Sequence, residues 1–198
     1  MRADLQSYYE REAKLELRKE LRSGRLGVRE RYLELLAAEG RTSVIDFGSG
    51  PGHDGEGFVA AGLRFVGVDL AHGNGLLAAK AGVAVVQGSI TAPPIRHGIF
   101  EAGWSMSTLM HLMEHQVTAA ISAMAGAIGP GAPMMLGMWG GERADNLEED
   151  QIDGERRLFS LRPVELNRRL LETGGTVESS EILPSQNGRE YQLFLLRV

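Results

Sequence analysis

The sequence predicts an α/β fold: a three-layer sandwich around a seven-stranded, mostly parallel sheet, with a C-terminal antiparallel hairpin and an N-terminal helical cap. Three observations predict it. From residue 43 onward, short apolar runs alternate with helical segments, and glycines separate them, which is the pattern of right-handed βαβ crossovers. Those runs are apolar almost throughout, as strands covered on both faces should be. The tail breaks the alternation: two strand patterns are separated only by "PSQNGR", enough for a hairpin and too little for a crossover helix.

The elements follow in order. Residues 4–22 read as a polar helix carrying Leu5, Tyr8, Tyr9, Leu15 and Leu21, and residues 27–38 as a second helix stopped by Gly40. Strands are expected at 43–47, 64–70, 83–87, 100–106 and 134–139. Helices are expected at 53–61, 73–81 and 114–128, the last with Val117, Ile121, Met124 and Ile128 on one face. The paired prolines in "PPIRHGI" make 93–99 a loop. A helix over 162–173 has Pro163 at its start and Gly174 past its end. The closing strands are "TVESSEIL" and "EYQLFLLRV". Residues 1–40 are read as a cap belonging to the same domain as 41–198.

Composition removes several function classes. A chain of 198 residues fits one domain, and a net charge of −5 gives no support to nucleic-acid binding. The absence of cysteine excludes disulfides, thiolate metal sites and a cysteine nucleophile. No histidine pair has metal spacing, and neither a calcium-loop pattern nor a G-x-S-x-G elbow occurs, so no metal is expected. The first residues lack the apolar core of a signal peptide, and no run approaches the ~20 apolar residues of a membrane helix. The expectation is a cytoplasmic protein of unspecified oligomeric state, with no membrane partner.

The chemistry concentrates in "VIDFGSGPGHDG", Val44 to Gly55, which holds two overlapping glycine motifs. One is G-x-G-x-x-G at Gly50, Gly52 and Gly55, a dinucleotide fingerprint that would make an NAD(P)-dependent oxidoreductase. The other is D-x-G-x-G-x-G at Asp46, Gly48, Gly50 and Gly52. Asp46 favours the second, because a carboxylate at the strand end suits a cationic ligand better than a pyrophosphate. The first register also displaces the tight turn from the strand end, and the closing hairpin is foreign to a plain dinucleotide fold.

With "VIDFGSGPG", "FVGVDL", "GSITAPPI", "FEAGWSMSTLMHL", "IGPGAPMMLGMW" and the hairpin in this order, residues 44–198 resemble the class I S-adenosylmethionine-dependent methyltransferases, whose sheet is Rossmann-like. The resemblance implies S-adenosyl-L-methionine as cofactor. Gly48, Ser49, Gly50 and Gly52 would form the loop around its amino-acid part, with Asp46 near the ammonium group. Asp69 would accept both ribose hydroxyls, with Leu70 beside it. Ser89 and Ile90 would edge the adenine, and Ser105 and Met106 would flank the methionine part. Family members often carry Asp where Ser89 stands, and "FD" where Phe100-Glu101 opens the fourth strand. A serine accepts from the adenine amino group more weakly than a charged group.

Several residues carry two readings. Asp69 can instead cap the next helix. His111 lies after the fourth strand, where the family often places a histidine near the reaction centre; it is either a general base or a packed side chain. His115 reads as a surface or packing residue, and His53 and Asp54 as helix-start residues. Tyr8 and Tyr9 dock the first helix or form a lid with a phenol near the substrate, and Trp139 is grouped with them. The acidic run 141–155 reads as a solvated loop. The expected reaction is methyl transfer to an oxygen or nitrogen of a small-molecule acceptor by in-line displacement. A noncatalytic cofactor-binding subunit is the third reading.

Overall fold

The computed structural model describes residues 2–17, 23–149, 156–184 and 189–198. Its strands are β1 (Ser43–Phe47), β2 (Arg64–Asp69), β3 (Val85–Gln87), β4 (Gly103–Met106), β5 (Pro133–Gly140), β6 (Ala144–Glu149), β7 (Arg156–Leu161), β8 (Thr176–Pro184) and β9 (Glu190–Arg197). Seven of them form one sheet in the order β3-β2-β1-β4-β5-β9-β8. The first five are parallel, and β9 runs antiparallel to both β5 and β8. β1 and β4 are buried along their whole length, which explains their apolar sequence.

The helices are α1 (Arg2–Lys14), α2 (Ser23–Ala38), α3 (His53–Ala60), α4 (His72–Lys80), α5 (Glu114–Ala127) and α6 (Val164–Leu171). Two apolar cores result. One joins Val28, Tyr32 and Leu36 of α2 to Phe58 of α3, Ala78 of α4, and Trp104 and Met106 of β4. The other gathers Val117, Ile121 and Met124 of α5 and Leu171 of α6 against Ile45, Met134 and Phe194. α1 packs across α4 and β7. Strand order reverses beside β1, where the chain first builds outward through β2 and β3 and then returns to β4; in such sheets ligands bind past the carboxyl ends of the two strands at the switch, here β1 and β4.

The expected seven-stranded architecture is therefore found, with local differences. The first helix ends at Lys14, followed by a turn in which Glu16 takes a left-handed φ of 50°; residues 18–22 of the expected helix lie outside the described residues. The second helix starts earlier than expected, at Ser23. The fourth strand loses its opening: Phe100 makes only an isolated bridge to Ile128, while the Glu101 carboxylate accepts from the Thr42 amide at 2.6 Å and hydroxyl at 2.9 Å. The larger correction concerns the acidic run. Residues 144–149 are not loop but strand β6, paired antiparallel with β7 in a separate two-stranded sheet. Its register sets Glu148 opposite Arg157 and Leu147 opposite Leu158. Residues 150–155 of that run lie outside the described residues. Among the described residues no helix is long and apolar enough to cross a membrane.

Candidate functional site

The loop after β1 turns under three glycines with positive φ: Gly48 at 81°, Gly50 at 57° and Gly52 at 88°. The amides of Gly48 and Ser49 donate to the Val68 carbonyl, and that of Gly50 to Asp69 Oδ2 at 2.8 Å, so the loop is strapped to the end of β2. A Cβ on Gly48 would run into the Thr108 side chain, so this position also lets the turn after β4 lie on the loop. Gly55, the third glycine of the dinucleotide register, has a different task. It sits inside α3, where a Cβ would come within 2.6 Å of the Phe65 ring and Val83.

Asp46 is fully buried beneath this loop, and among the described residues neither of its carboxylate oxygens has a hydrogen-bond partner. Burial pushes its pKa well above the usual carboxylate range; Asp54 and Asp69 add to this and Arg25 opposes it. The neighbouring network was not legible in sequence. Asp54, expected as a helix-start residue, lies in the first turn of α3 and is buried. Its Oδ2 accepts from Trp104 Nε1 at 2.8 Å and from Arg25 Nε at 2.6 Å, and Arg29 lies 3.5 Å from Oδ1. Burial works against the Arg25 charge, but Asp54 and Asp46 outweigh it and its pKa is raised. His53 does begin α3, as expected.

The remaining cofactor candidates lie at or just after the ends of β2, β3 and β4. Asp69 accepts from the Gly50 amide on one oxygen, and from the Ala71 amide and Asn74 Nδ2, each at 3.0 Å, on the other. It therefore braces the turn that leads into α4, and few of its acceptor sites stay open. Leu70 offers its carbonyl to Gln87 Nε2. Ser89 and Thr91 share a 2.8 Å hydroxyl–hydroxyl bond, and Ile90 is buried in the core. Ser105 donates to the Phe47 carbonyl at 2.7 Å, and Tyr191 Oη lies 3.6 Å from the Met106 sulfur. Trp139 packs edge-on to Tyr191 at 5.0 Å between centroids, while the Tyr191 hydroxyl meets Ser107 Oγ at 3.1 Å. The observed partner of Trp139 is thus strand β9 rather than the tyrosines of α1.

A second cluster forms where α1, β7 and the short 3-10 turn Leu109–His111 meet. Tyr8 is buried, and Tyr9 reaches His111 Nε2 at 2.8 Å. His111 Nδ1 lies 2.8 Å from the Leu158 carbonyl. A carbonyl can only accept, so Nδ1 carries a proton, and in the neutral ring Nε2 then accepts from the Tyr9 hydroxyl. Arg157 NH1 donates to the Tyr9 oxygen at 3.2 Å, and its guanidinium covers the rings of Tyr8 and Phe159. Phe159 closes the far side of His111 at 5.0 Å between centroids. His115, by contrast, is exposed on α5.

The donor set can be tested against the cofactor implied by resemblance. A buried carboxylate whose oxygens lack partners among the described residues would, when ionised, repel a pyrophosphate and attract an ammonium or sulfonium group, so these residues fit S-adenosylmethionine.

Comparison with known proteins agrees. Residues 45–136 match the family model described as "Methyltransferase domain". No curated protein matches the sequence. Among solved structures, this chain is similar to magnesium protoporphyrin IX methyltransferase from Synechocystis PCC 6803 with bound S-adenosylhomocysteine (TM-score 0.74, 13% identity, 100% of each chain covered). It is also similar to 1,6-didemethyltoxoflavin-N1-methyltransferase from Burkholderia thailandensis (TM-score 0.71, 19% identity, 99% of this chain and 86% of that one). A third similar structure is the cyclase SpnF (TM-score 0.66, 15% identity, 85% of this chain and 80% of that one). Residues 45–136 are thus similar to a methyltransferase domain, and the chain has the fold of the class I S-adenosylmethionine-dependent methyltransferases.

Proposed function

We propose that this protein transfers a methyl group from S-adenosylmethionine to an oxygen or nitrogen of a small-molecule acceptor. The observation that carries the reading is the buried Asp46 carboxylate, without a hydrogen-bond partner among the described residues, beneath the glycine loop. A fold shared with a cyclase does not decide chemistry, so the argument rests on the site.

The cofactor supplies a methyl group already activated on a sulfonium. Asp46 and the loop Gly48–Gly52 would hold its amino-acid part. Asp69 would meet the ribose with its remaining acceptor capacity, and Ser89 and Ile90 would edge the adenine. Tyr9 and His111 would handle the acceptor's proton. As the acceptor atom loses its proton to the Tyr9 oxygen, the Tyr9 hydroxyl proton passes to His111 Nε2, and Leu158 keeps Nδ1–H in place. The imidazolium then holds one proton on each nitrogen. Arg157 donates to the Tyr9 oxygen and so favours charge building there during the transfer. His111 is 7% exposed, which suits an acceptor that enters a covered site and a reaction that excludes water. The similar structures of 1,6-didemethyltoxoflavin-N1-methyltransferase and magnesium protoporphyrin IX methyltransferase support small molecules as acceptors for this fold.

The test is calorimetric titration with S-adenosylhomocysteine, with NADPH in parallel and Asp46→Asn as the variant. Binding of the homocysteine compound, weakened in Asp46→Asn and absent for NADPH, supports the reading. Binding of NADPH alone would overturn it.

A further inference from the structure

We infer that Arg162, which lies on no strand or helix of the site, is a positioning residue that fixes the orientation of His111. The inference rests on the reading of His111 as the base.

Arg162 stands between β7 and α6 and is only 2% exposed. Its guanidinium spans the turn that carries His111. NH2 donates to the Leu109 carbonyl and NH1 to the Leu112 carbonyl, each at 3.0 Å. These two carbonyls bracket His111 on both sides. The turn's own bonds, His111 amide to Thr108 carbonyl and Leu112 amide to Leu109 carbonyl, form a single 3-10 step. Such a short element has poor intrinsic stability and leaves carbonyls at its end. A cation there satisfies them and complements their partial negative charge.

The guanidinium is itself held from behind. Nε donates to Asn167 Oδ1 at 2.8 Å, and NH1 also donates to Ser160 Oγ at 2.8 Å. Asn167 Nδ2 donates to Gln192 Oε1 at 2.7 Å, and Gln192 Nε2 returns to the Arg162 carbonyl at 3.1 Å. The side chain therefore has one orientation, fixed by α6 and β9. Strand β7 then acts on His111 twice: directly, through the Leu158 carbonyl on Nδ1, and indirectly, through Ser160 and Arg162 on the backbone. The ring clamp chooses the tautomer. The backbone clamp decides where the ring sits relative to that carbonyl and to Tyr9. A lysine cannot replace it, because an ammonium lacks the planar fork that reaches two fixed carbonyls at once.

The experiment is a long-range proton–nitrogen NMR correlation of the His111 ring in the full chain at neutral pH, with the signals assigned by their loss in His111→Gln. The wild type is expected to show a proton on Nδ1 and an unprotonated Nε2. Arg162→Lys is expected to move both nitrogens toward a tautomer average and to speed exchange of the Nδ1 proton. Ser160→Ala, which removes one acceptor and little packing, should shift them the same way by less. A merely structural role would lower the melting temperature and leave both nitrogens unmoved in the folded variants, and that result would overturn the inference. S-adenosylhomocysteine titration of the same samples separates the two proposals. Failure of all samples to bind it sinks the methyl-transfer reading, whereas the ring signals still judge Arg162.

Discussion

Tyr9 and His111 stand 102 positions apart, and a 2.8 Å hydrogen bond from phenol to Nε2 joins the first helix to the turn after β4. The pair proposed to handle the acceptor's proton therefore exists only when α1 is docked. Tyr9→Phe should lower the single-turnover rate by about 10²-fold, within the range general acid–base groups contribute, with S-adenosylhomocysteine affinity unchanged. His111→Gln should do the same and remove the acid limb of the pH–rate profile. Rapid-quench kinetics on an acceptor that the wild type turns over checks both.

Docking of α1 has its own anchor. Glu10 accepts from the His72 amide at 2.6 Å and the Gly73 amide at 2.8 Å, so it caps α4, whose N-cap residue Ala71 has no capping side chain. Glu10→Gln should weaken this charge-assisted cap by about 1 kcal/mol. The expected outcome is faster hydrogen exchange across α1 and the first turn of α4, read by mass spectrometry.

Asp46 makes stability depend on pH with a definite sign. Its pKa is raised on folding, chiefly by burial, so the folded chain keeps a proton that the unfolded chain has released. Stability should fall as pH rises from about 4 through the raised value, with a slope of at most about 1.4 kcal/mol per pH unit. Asp46→Asn should flatten that slope in urea titrations. A bound cation favours the ionised form, so S-adenosylhomocysteine should release a proton on binding to the wild type. Calorimetry in two buffers of different ionisation enthalpy should show this release, and Asp46→Asn should lack it.

Asp54 should prove structurally indispensable. Asp54→Ala would leave the Arg25 charge and the Trp104 indole N–H without this acceptor in a buried setting. A loss of about 3–5 kcal/mol is expected from breaking a buried pair on one side. Chemical denaturation followed by Trp fluorescence measures it.

The parallel sheet was legible because its strands are buried on both faces and read as unbroken apolar runs, as in "SVIDF". The glycine loop was legible because positive φ demands glycine at fixed spacing. Strand β6 was hidden because its sequence, "ADNLEE", is acidic with a single large apolar residue, and its pairing with β7 is not signalled by alternation. The burial of Asp54 was hidden for a related reason. At a helix start, a carboxylate on the surface and one buried under an arginine have the same local sequence, and the partners Arg25 and Trp104 are distant in the chain. Arg162 was invisible for the same cause: its acceptors at Leu109 and Leu112 are backbone carbonyls, which every residue has.

The place of β9 bears on how the protein is made. β5 ends at Gly140, yet the strand that covers its outer edge begins at Glu190. While a ribosome synthesises the stretch between them, β5 presents a bare, apolar edge to other nascent chains. The site proposed for the cofactor lies at the ends of β1 and β4, both complete by Met106, and so precedes that closure in synthesis. A stalled chain ending before β9 would carry the glycine loop on a sheet that is still adhesive, which makes translation through the last strand the vulnerable interval.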